Sequence, residues 1–435
     1  MHLHPQWMKT FLTKQMNDYQ IHLYLDRAYK QVIPDHLKSE IALQGGDIDP
    51  DKARVAFCGF LFKGKDTYVF LPRGSSLKQN DLTNVDLARL LFQCLSKYCR
   101  ANESFLQKEG KSTVVGNPQI LPLIVEILND YKVNGIYTSE NAFNRRGFQG
   151  KTDWKKTIGN VEPHIDGEEI IYPHFINRFT NSYFSNEVTK IHYSILEAIQ
   201  DRFGWLLPDT ERLKFNSNNR VSIRNADVGI IKAELRGVFN DAKIHTLKML
   251  LRFLEDDFNV GNTEAVSYGF SDFQYVWEHM LRNVLSPTHV FADMPLPAYR
   301  ESSGREIRVG QKGQRVDIFL YESDIKEACV IDAKYYDGSS VDRAPGWPDL
   351  VKQFFYAKSL TAGGLRHEVS TVKNYFIFPG ISGEASPEMA YVIDSTGRLD
   401  SEFPPIKCLH VSPELIIKSY VSSKPFLSLR QKLFN

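Results

Sequence analysis

Two short segments in the last third of the chain carry side chains whose types and spacing suit catalysis. RVDIFLY (Arg315 to Tyr321) and ACVIDAKYY (Ala328 to Tyr336) are apolar runs interrupted by Asp317 in the first and by Asp332 and Lys334 in the second. Both read as strands, joined by a short connection through Ser323, Asp324, Ile325 and Lys326. If the hairpin turns symmetrically between Asp324 and Ile325, Asp317 lies directly opposite Asp332, with Cβ atoms roughly 4.5–5.5 Å apart. Lys334, two residues past Asp332, leaves the same face because strand side chains alternate. Two carboxylates and one ammonium then converge.

Carboxylates this close repel one another unless one takes a proton or a cation sits between them. Aspartate oxygens suit Mg²⁺, which keeps room for waters and phosphate oxygens. Such an ion can activate water and offset charge on a scissile phosphate. Lys334 suits the role of a point charge that orients the water or stabilises the transition state. An Asp-x-Lys by itself means little, since an exposed strand face often carries one. Here the run Ala328-Cys329-Val330-Ile331 marks a buried strand, where an aspartate is costly without a purpose.

Flanking helices supply further candidates. On SDFQYVWEHMLRNVL the packed stripe is Phe273, Val276, Trp277, Met280 and Val284, and Glu278 at its edge is a candidate third metal ligand, with a surface glutamate paired to a base as the alternative. On PDLVKQFFYAKSL the stripe is Leu350, Phe354 and Ala357; Gln353 and Tyr356 on its flank are candidates to touch the attacking water or a phosphate. Lys352 and Lys358 read first as solubilising charges, with a DNA backbone contact as the alternative.

The elements that must position these residues alternate as helix (Asp272 to Leu285), strand, strand, helix (Pro348 to Leu360) and strand (Tyr375 to Phe378), with a further strand at Ile406 to Val411. A mixed sheet flanked by helices buries such a series. Upstream, RVAFCGFLFKGKDTYVFLPRG (Arg54 to Gly74) predicts a β-hairpin, and Thr83 to Arg100, Ile120 to Tyr131, Asn186 to Phe203 and Ala242 to Leu254 read as helices, the last with Leu247, Leu250, Leu251 and Leu254 inward. Between them, Asn141 to Asn160 crowds Arg145, Arg146, Lys151, Lys155 and Lys156 around aromatics with a single acid. It is expected to be a solvated loop, with a phosphate, DNA or partner contact as the alternative. The expected fold class is α+β and multidomain. Residues 1–160 form a β-containing, partner-docking region, 161–260 a mostly helical middle, and 261–435 the catalytic domain, with a break near Val260 to Glu264.

Composition narrows the rest. A chain of 435 residues with 42% hydrophobic residues can bury several cores, and a formal net charge of +1 gives no global field to draw nucleic acid. Cys58, Cys94, Cys99, Cys329 and Cys408 are scattered without zinc-ligand spacing, so reduced thiols are expected and a structural zinc is not. His2, His4 and His192 likewise lack a paired metal pattern. No apolar run of membrane-spanning or signal-peptide length appears, and the cytoplasm is the expected compartment.

The pattern E…VD…(V/I)DAKYY…DLxKQxxYA resembles the nuclease domain of McrC and of LlaJI-type restriction endonucleases, most strongly from Phe273 to Leu360. GKTDWKKTI (Gly150 to Ile158) and FINRFTNSYFSNEVTKIHYSILEAI extend the resemblance more weakly. It implies a PD-(D/E)xK nuclease fold, with Asp317 and Asp332 as acidic ligands, Lys334 as catalytic lysine and Gln353 as the glutamine of the following helix. The second acid is Asp where Glu is commoner, a variant that McrC-like proteins share. The resemblance also implies a partner, an AAA+ GTPase or ATPase of McrB type that moves along double-stranded DNA. This chain has no GxxxxGK[ST] loop of its own. Two other readings stay open: a nuclease that acts alone on DNA structures or in repair, and an inert DNA-binding or NTPase-activating adaptor.

Overall fold

The Cys58–Lys63 and Asp66–Leu71 strands pair antiparallel, as the sequence around their turn predicts, with Gly64 at φ 58, a left-handed position that suits glycine. In the computed structural model, the described residues are 11–16, 19–43, 54–64, 66–77, 83–108, 114–117, 119–183, 187–206, 226–255, 265–286, 296–308, 315–361, 369–380, 388–400 and 402–435. The break expected near Val260 to Glu264 lies outside them. Met1–Leu121 and Thr263–Asn435 form one compact unit and Pro122–Asn262 a second. This differs from the three consecutive regions expected, because a late strand belongs to an early sheet.

In the first unit the hairpin sits inside a six-stranded sheet of order Phe11–Met16, Tyr19–Leu25, Asp66–Leu71, Cys58–Lys63, Val266–Phe270, Val114–Gly116. The late strand Val266–Phe270 pairs antiparallel with both Cys58–Lys63 and Val114–Gly116. Alternation drives the packing: Phe57, Leu61 and Phe70 are buried with Leu37 and Ile41 of the Asp35–Leu43 helix. Gly59 and Gly269 face each other where a Cβ on either would collide with backbone at 2.3–2.4 Å, so the two strands approach there as glycines only.

The second sheet of this unit runs Ile318–Glu322, Glu327–Ala333, Thr371–Pro379, Ile406–Val411, Met389–Ala390. Glu327–Ala333, Thr371–Pro379 and Ile406–Val411 are parallel, and the two outer strands are antiparallel. Two of these strands are buried on both faces over residues 328–332 and 374–379, as a sheet covered on both sides requires. On one face Val330, Phe376 and Phe378 meet Phe354, Tyr356 and Leu360 on and just after the Trp347–Ser359 helix. On the other, Cys329 and Tyr375 hydrogen-bond the Leu433 carbonyl of the Leu427–Phe434 helix. The Gln274–Leu285 helix, with Val276, Trp277, Met280 and Val284 buried as its periodicity predicts, follows directly on Val266–Phe270 and also touches the Ile318–Glu322 and Glu327–Ala333 strands.

A polar junction ties this sheet to the first. The Arg73 N–H donates to the Tyr335 hydroxyl at 3.0 Å, and Tyr335 in turn hydrogen-bonds the buried Asp26, whose carboxyl burial pushes up despite the nearby Arg27. Gly74, at φ 76, lies so close to Pro379 and Gly380 that a Cβ would meet their backbone at 2.8–2.9 Å.

In the second unit the segment expected as a solvated loop is mostly regular. Ser139–Gly147 is a strand paired along its length with Phe175–Tyr183, Lys151–Thr152 pairs on the other side, and Trp154–Asn160 is a helix capped by the Asp153 side chain. Its charges are still solvated. The region expected to be mostly helical opens on strands, including the His164–Asp166 and Glu169–Ile171 hairpin, before the Glu187–Phe203, Ala226–Leu235 and Asp241–Glu255 helices. On the last of these Leu247 and Leu250 are buried as expected, but Thr246, Met249 and Phe253 complete the stripe, and Leu251 and Leu254 are only half-buried. His192 is a core residue: its Nδ1 accepts the Tyr137 N–H at 3.1 Å, and burial pulls its pKa down to about 4 against the pull of Asp130.

Candidate active site

The expected hairpin register is present. Ile318 pairs with Ile331 and Phe319 with Val330, which extrapolates to Asp317 opposite Asp332. The strands are shorter than expected at this end. Asp317 immediately precedes the Ile318–Glu322 strand, and Lys334 immediately follows Glu327–Ala333, although the Lys334 N–H still bonds the Ile377 carbonyl at 3.0 Å. The Asp317 side chain reaches across to accept the Ala333 N–H at 3.0 Å, so it anchors the end of the strand that bears Asp332.

Asp332 is 4% exposed and both its oxygens face ammonium groups. Lys334 Nζ lies 2.5 Å from Oδ2, and Lys352 Nζ lies 3.2 Å from Oδ1. Lys334 Nζ is also 2.6 Å from Asp349 Oδ1 and 5.5 Å from the centre of the Phe376 ring, so it is held on several sides. Asp349 and Lys352 come from the first turns of the Trp347–Ser359 helix, which starts at Gly346 with Pro348 in its first turn, an arrangement that favours helix initiation and an acid near the N-terminus.

Asp317 feels a different field. Burial, then the negative charges of Asp332 and Glu278, push its carboxyl up to about 7, against the Ala333 hydrogen bond and Lys352. Burial likewise raises Glu278, opposed by Arg282 and reinforced by Asp332. Glu278 therefore lies within electrostatic reach of both aspartates, although its Oε1 is paired with Arg282 at 2.8 Å. Arg282 also donates to the Asp317 carbonyl, at 2.7 and 3.0 Å, and fixes the backbone at the first carboxylate.

Gln353 is 1% exposed, and its amide donates to the carbonyls of Val330 at 2.9 Å and Tyr375 at 3.4 Å. Its Oε1 is buried with no hydrogen-bond partner among the described residues. The buried Tyr356 donates its hydroxyl to the Arg315 carbonyl at 2.7 Å, which holds the segment leading to Asp317. Its hydroxyl is thus turned to backbone. Asp349 and Arg282 were not among the residues singled out in the sequence, and Lys352 was read there chiefly as a solubilising charge. Asp349 and Lys352 occupy helix positions flanking the apolar stripe, and Arg282 stands one turn beyond Glu278; only the folded geometry shows that they reach the carboxylates.

The donor set fits a hard divalent cation. Oxygen ligands are the right type, and the burial and the repulsion from Asp332 and Glu278 that lift Asp317 are of the kind a cation relieves. Among the described residues, no group of three or more His, Cys, Asp or Glu side chains is already gathered in a metal-holding arrangement. At Asp332 two lysines hold the oxygens that would turn to such an ion.

Arg145, Arg146, Lys151, Lys155 and Lys156 belong to the other unit, exposed on or beside the Ser139–Gly147 strand and the Trp154–Asn160 helix, with Phe143, Phe148 and Trp154 exposed among them. Among the described residues, no helix is long and apolar enough to cross a membrane.

A mixed α+β chain with buried acids and lysines at the end of a sheet invites comparison with nucleic-acid hydrolases, and comparison sets the class. The family model of the LlaJI restriction endonuclease matches residues 57–400, and the chain belongs to that family. A curated relative, the Type II restriction enzyme BsuMI component YdjA of Bacillus subtilis (strain 168), is 24% identical over 393 residues, covering 85% of this chain and 81% of that protein. A chain from the assembly of Thermococcus gammatolerans McrB AAA+ hexamers with bound McrC aligns over 94% of this chain and 89% of its own length. Its identity is 12% and its TM-score 0.40, too loose a likeness to define the fold.

Proposed function

We propose that this chain is the Mg²⁺-dependent, PD-(D/E)xK-type endonuclease subunit of a restriction system, cutting double-stranded DNA in the cytoplasm together with an AAA+ motor of McrB type. The observation that carries the reading is the pair Asp317 and Asp332 in opposed register with Lys334 Nζ 2.5 Å from Asp332, in a chain of the LlaJI restriction endonuclease family. The Bacillus subtilis relative is described as a component of a restriction enzyme, which favours a subunit. The motor partner rests on the resemblance of the quoted motifs to McrC.

Asp317 and Asp332 would hold the metal, with Glu278 as third donor once it leaves Arg282. Mg²⁺, when bound, supplies positive charge to offset the charge that builds on the scissile phosphate. Lys334, held by Asp349 and Phe376, presents a fixed ammonium to that phosphate or to the attacking water. Gln353 offers a buried amide oxygen to orient the water, while Tyr356 and Arg282 position the backbone around Asp317. The exposed Arg145 and Arg146 strand, with Lys151, Lys155 and Lys156, is the proposed contact to the motor or to DNA.

The test is cleavage of duplex DNA by the full chain with a co-expressed AAA+ partner, Mg²⁺ and NTP. Cleavage is expected to vanish in Asp332→Ala and in Lys334→Ala. If either cuts like the parent, the site is misassigned; if cleavage proceeds equally without any partner, the motor is not part of the reaction.

A further inference from the structure

The two lysines on Asp332 are held very differently. Lys334 is 13% exposed, anchored to a second carboxylate, Asp349, and backed by the Phe376 ring. Lys352 is 39% exposed and meets a carboxylate only at Asp332 Oδ1, at 3.2 Å among the described residues, with its ammonium 5.6 Å from the centre of the Tyr356 ring. That ring is fixed by its hydroxyl bond to Arg315, so the ammonium of a long, flexible side chain rests beside a rigid wall. One ammonium is locked and the other can leave.

Asp332 explains why something must stand there. Its side chain is 5% exposed, and a buried carboxylate oxygen stripped of its cationic partner is strongly unfavourable. Without a metal the cluster needs a movable positive charge at Oδ1, the oxygen that Lys334 does not hold. With a divalent ion at the same oxygen, an ammonium 3.2 Å away would be repelled and the open side of the site would receive it.

We infer that Lys352 is an exchangeable place-holder, which occupies Asp332 until a divalent cation displaces it and then contacts the DNA backbone with the released ammonium. The inference rests on the proposed metal site and adds a residue to it. Lys352 thereby lowers metal affinity in the free protein and couples metal uptake to DNA contact.

The full-length, DNA-free protein titrated with Mn²⁺, by calorimetry or by the electron paramagnetic resonance of the free ion, tests this directly. Lys352→Gln is expected to bind Mn²⁺ about two- to fivefold tighter, the worth of a partly exposed ion pair. Asp332→Asn should lose most binding, and Lys418→Gln, exposed on the Pro413–Val421 helix, should match the parent. With Ca²⁺ replacing Mg²⁺, Lys352→Gln should also bind a DNA duplex more weakly, with a salt dependence shallower by about one phosphate contact. Unchanged or weaker Mn²⁺ affinity in Lys352→Gln, or DNA affinity that does not move, overturns the inference while the metal site stands. If the parent and Asp332→Asn bind Mn²⁺ alike, the metal site itself is wrong and the inference falls with it. Should Lys352→Gln fail to fold, amine-selective labelling of the parent reads the same exchange: Mn²⁺ should raise the labelling of Lys352, and no rise overturns the inference.

Discussion

Charge is used in opposite ways in the two units of this chain. At the end of the Glu327–Ala333 strand, acids and lysines hold one another at hydrogen-bond distance, and all but Lys352 are fixed by a second partner or by backbone. Around the Ser139–Gly147 strand, Arg145, Arg146, Lys151, Lys155 and Lys156 lie open to solvent beside exposed aromatic rings. The first arrangement costs folding energy and is kept only where its internal geometry compensates. The second costs little and, apart from Lys156 beside Asp153 at 3.8 Å, leaves its charged ends to answer to something outside. A cluster of paired buried charges and an exposed basic surface thus lie in different units of the chain.

The sharpest way to break this contrast is cleavage. Substitution of Asp317, Asp332 or Lys334 by alanine should cut the rate of DNA cleavage by about 100-fold or more, the usual cost of removing a group that stabilises charge in the transition state. A residual rate within tenfold of the parent for all three would place the chemistry elsewhere. By contrast, Arg145→Glu with Arg146→Glu should leave the melting temperature within about 1 °C, since exposed substitutions rarely matter to stability, while weakening association with a motor or DNA about tenfold or more in a pull-down or anisotropy titration. Loss of stability there would mean the strand is part of a core after all.

The pH dependence separates the two regions next. The folded-state carboxyl of Asp317, at about 7, is above the ordinary carboxylate value of about 3.9. Below that lower value both states carry the proton and the contribution to stability is whole. As pH rises toward and through 7 the unfolded chain has already ionised, so the folded state loses ground. Asp317→Asn should therefore raise the melting temperature by a few degrees at pH 8 and barely change it at pH 4, as scanning calorimetry would show. Reversal of the roles of folded and unfolded state, with greater gain at low pH, would sink the buried-carboxyl reading. The smallest effect is expected at Tyr356. Replacing it by Phe removes one hydroxyl bond to the Arg315 carbonyl, for a cost of about 1 kcal/mol.

The same contrast governs what could be read without coordinates. An aspartate at the end of Ala328-Cys329-Val330-Ile331 stands out because burial makes it expensive, and the short hairpin fixes its register from local sequence alone; Ile318 opposite Ile331 follows from it. Asp349 and Lys352 do not stand out, because on a helix with one apolar stripe any charge beside the stripe reads as solvated. Their meeting with Lys334 and Asp332 depends on how the helix crosses the sheet. The Ser139–Gly147 strand reads as a loop for a related reason: its partner is Phe175–Tyr183, and long-range pairing leaves no local trace in a polar segment. The family resemblance is likewise strongest from Phe273 to Leu360, the stretch that holds Asp317, Asp332 and Lys334.

Val266–Phe270 has a consequence beyond holding the first sheet together. It lies between Cys58–Lys63 and Val114–Gly116, with Tyr268 opposite Gly116, so the chain leaves the first unit shortly after one strand and re-enters it on that strand's neighbour. Pro122–Asn262 is therefore spliced into the first unit between two strands that pair with each other. Closing such a gap with a short linker costs little chain entropy. A chain in which a short linker replaces Pro122–Asn262 is expected to keep Val266–Phe270 paired with Val114–Gly116, as hydrogen exchange across that sheet would show.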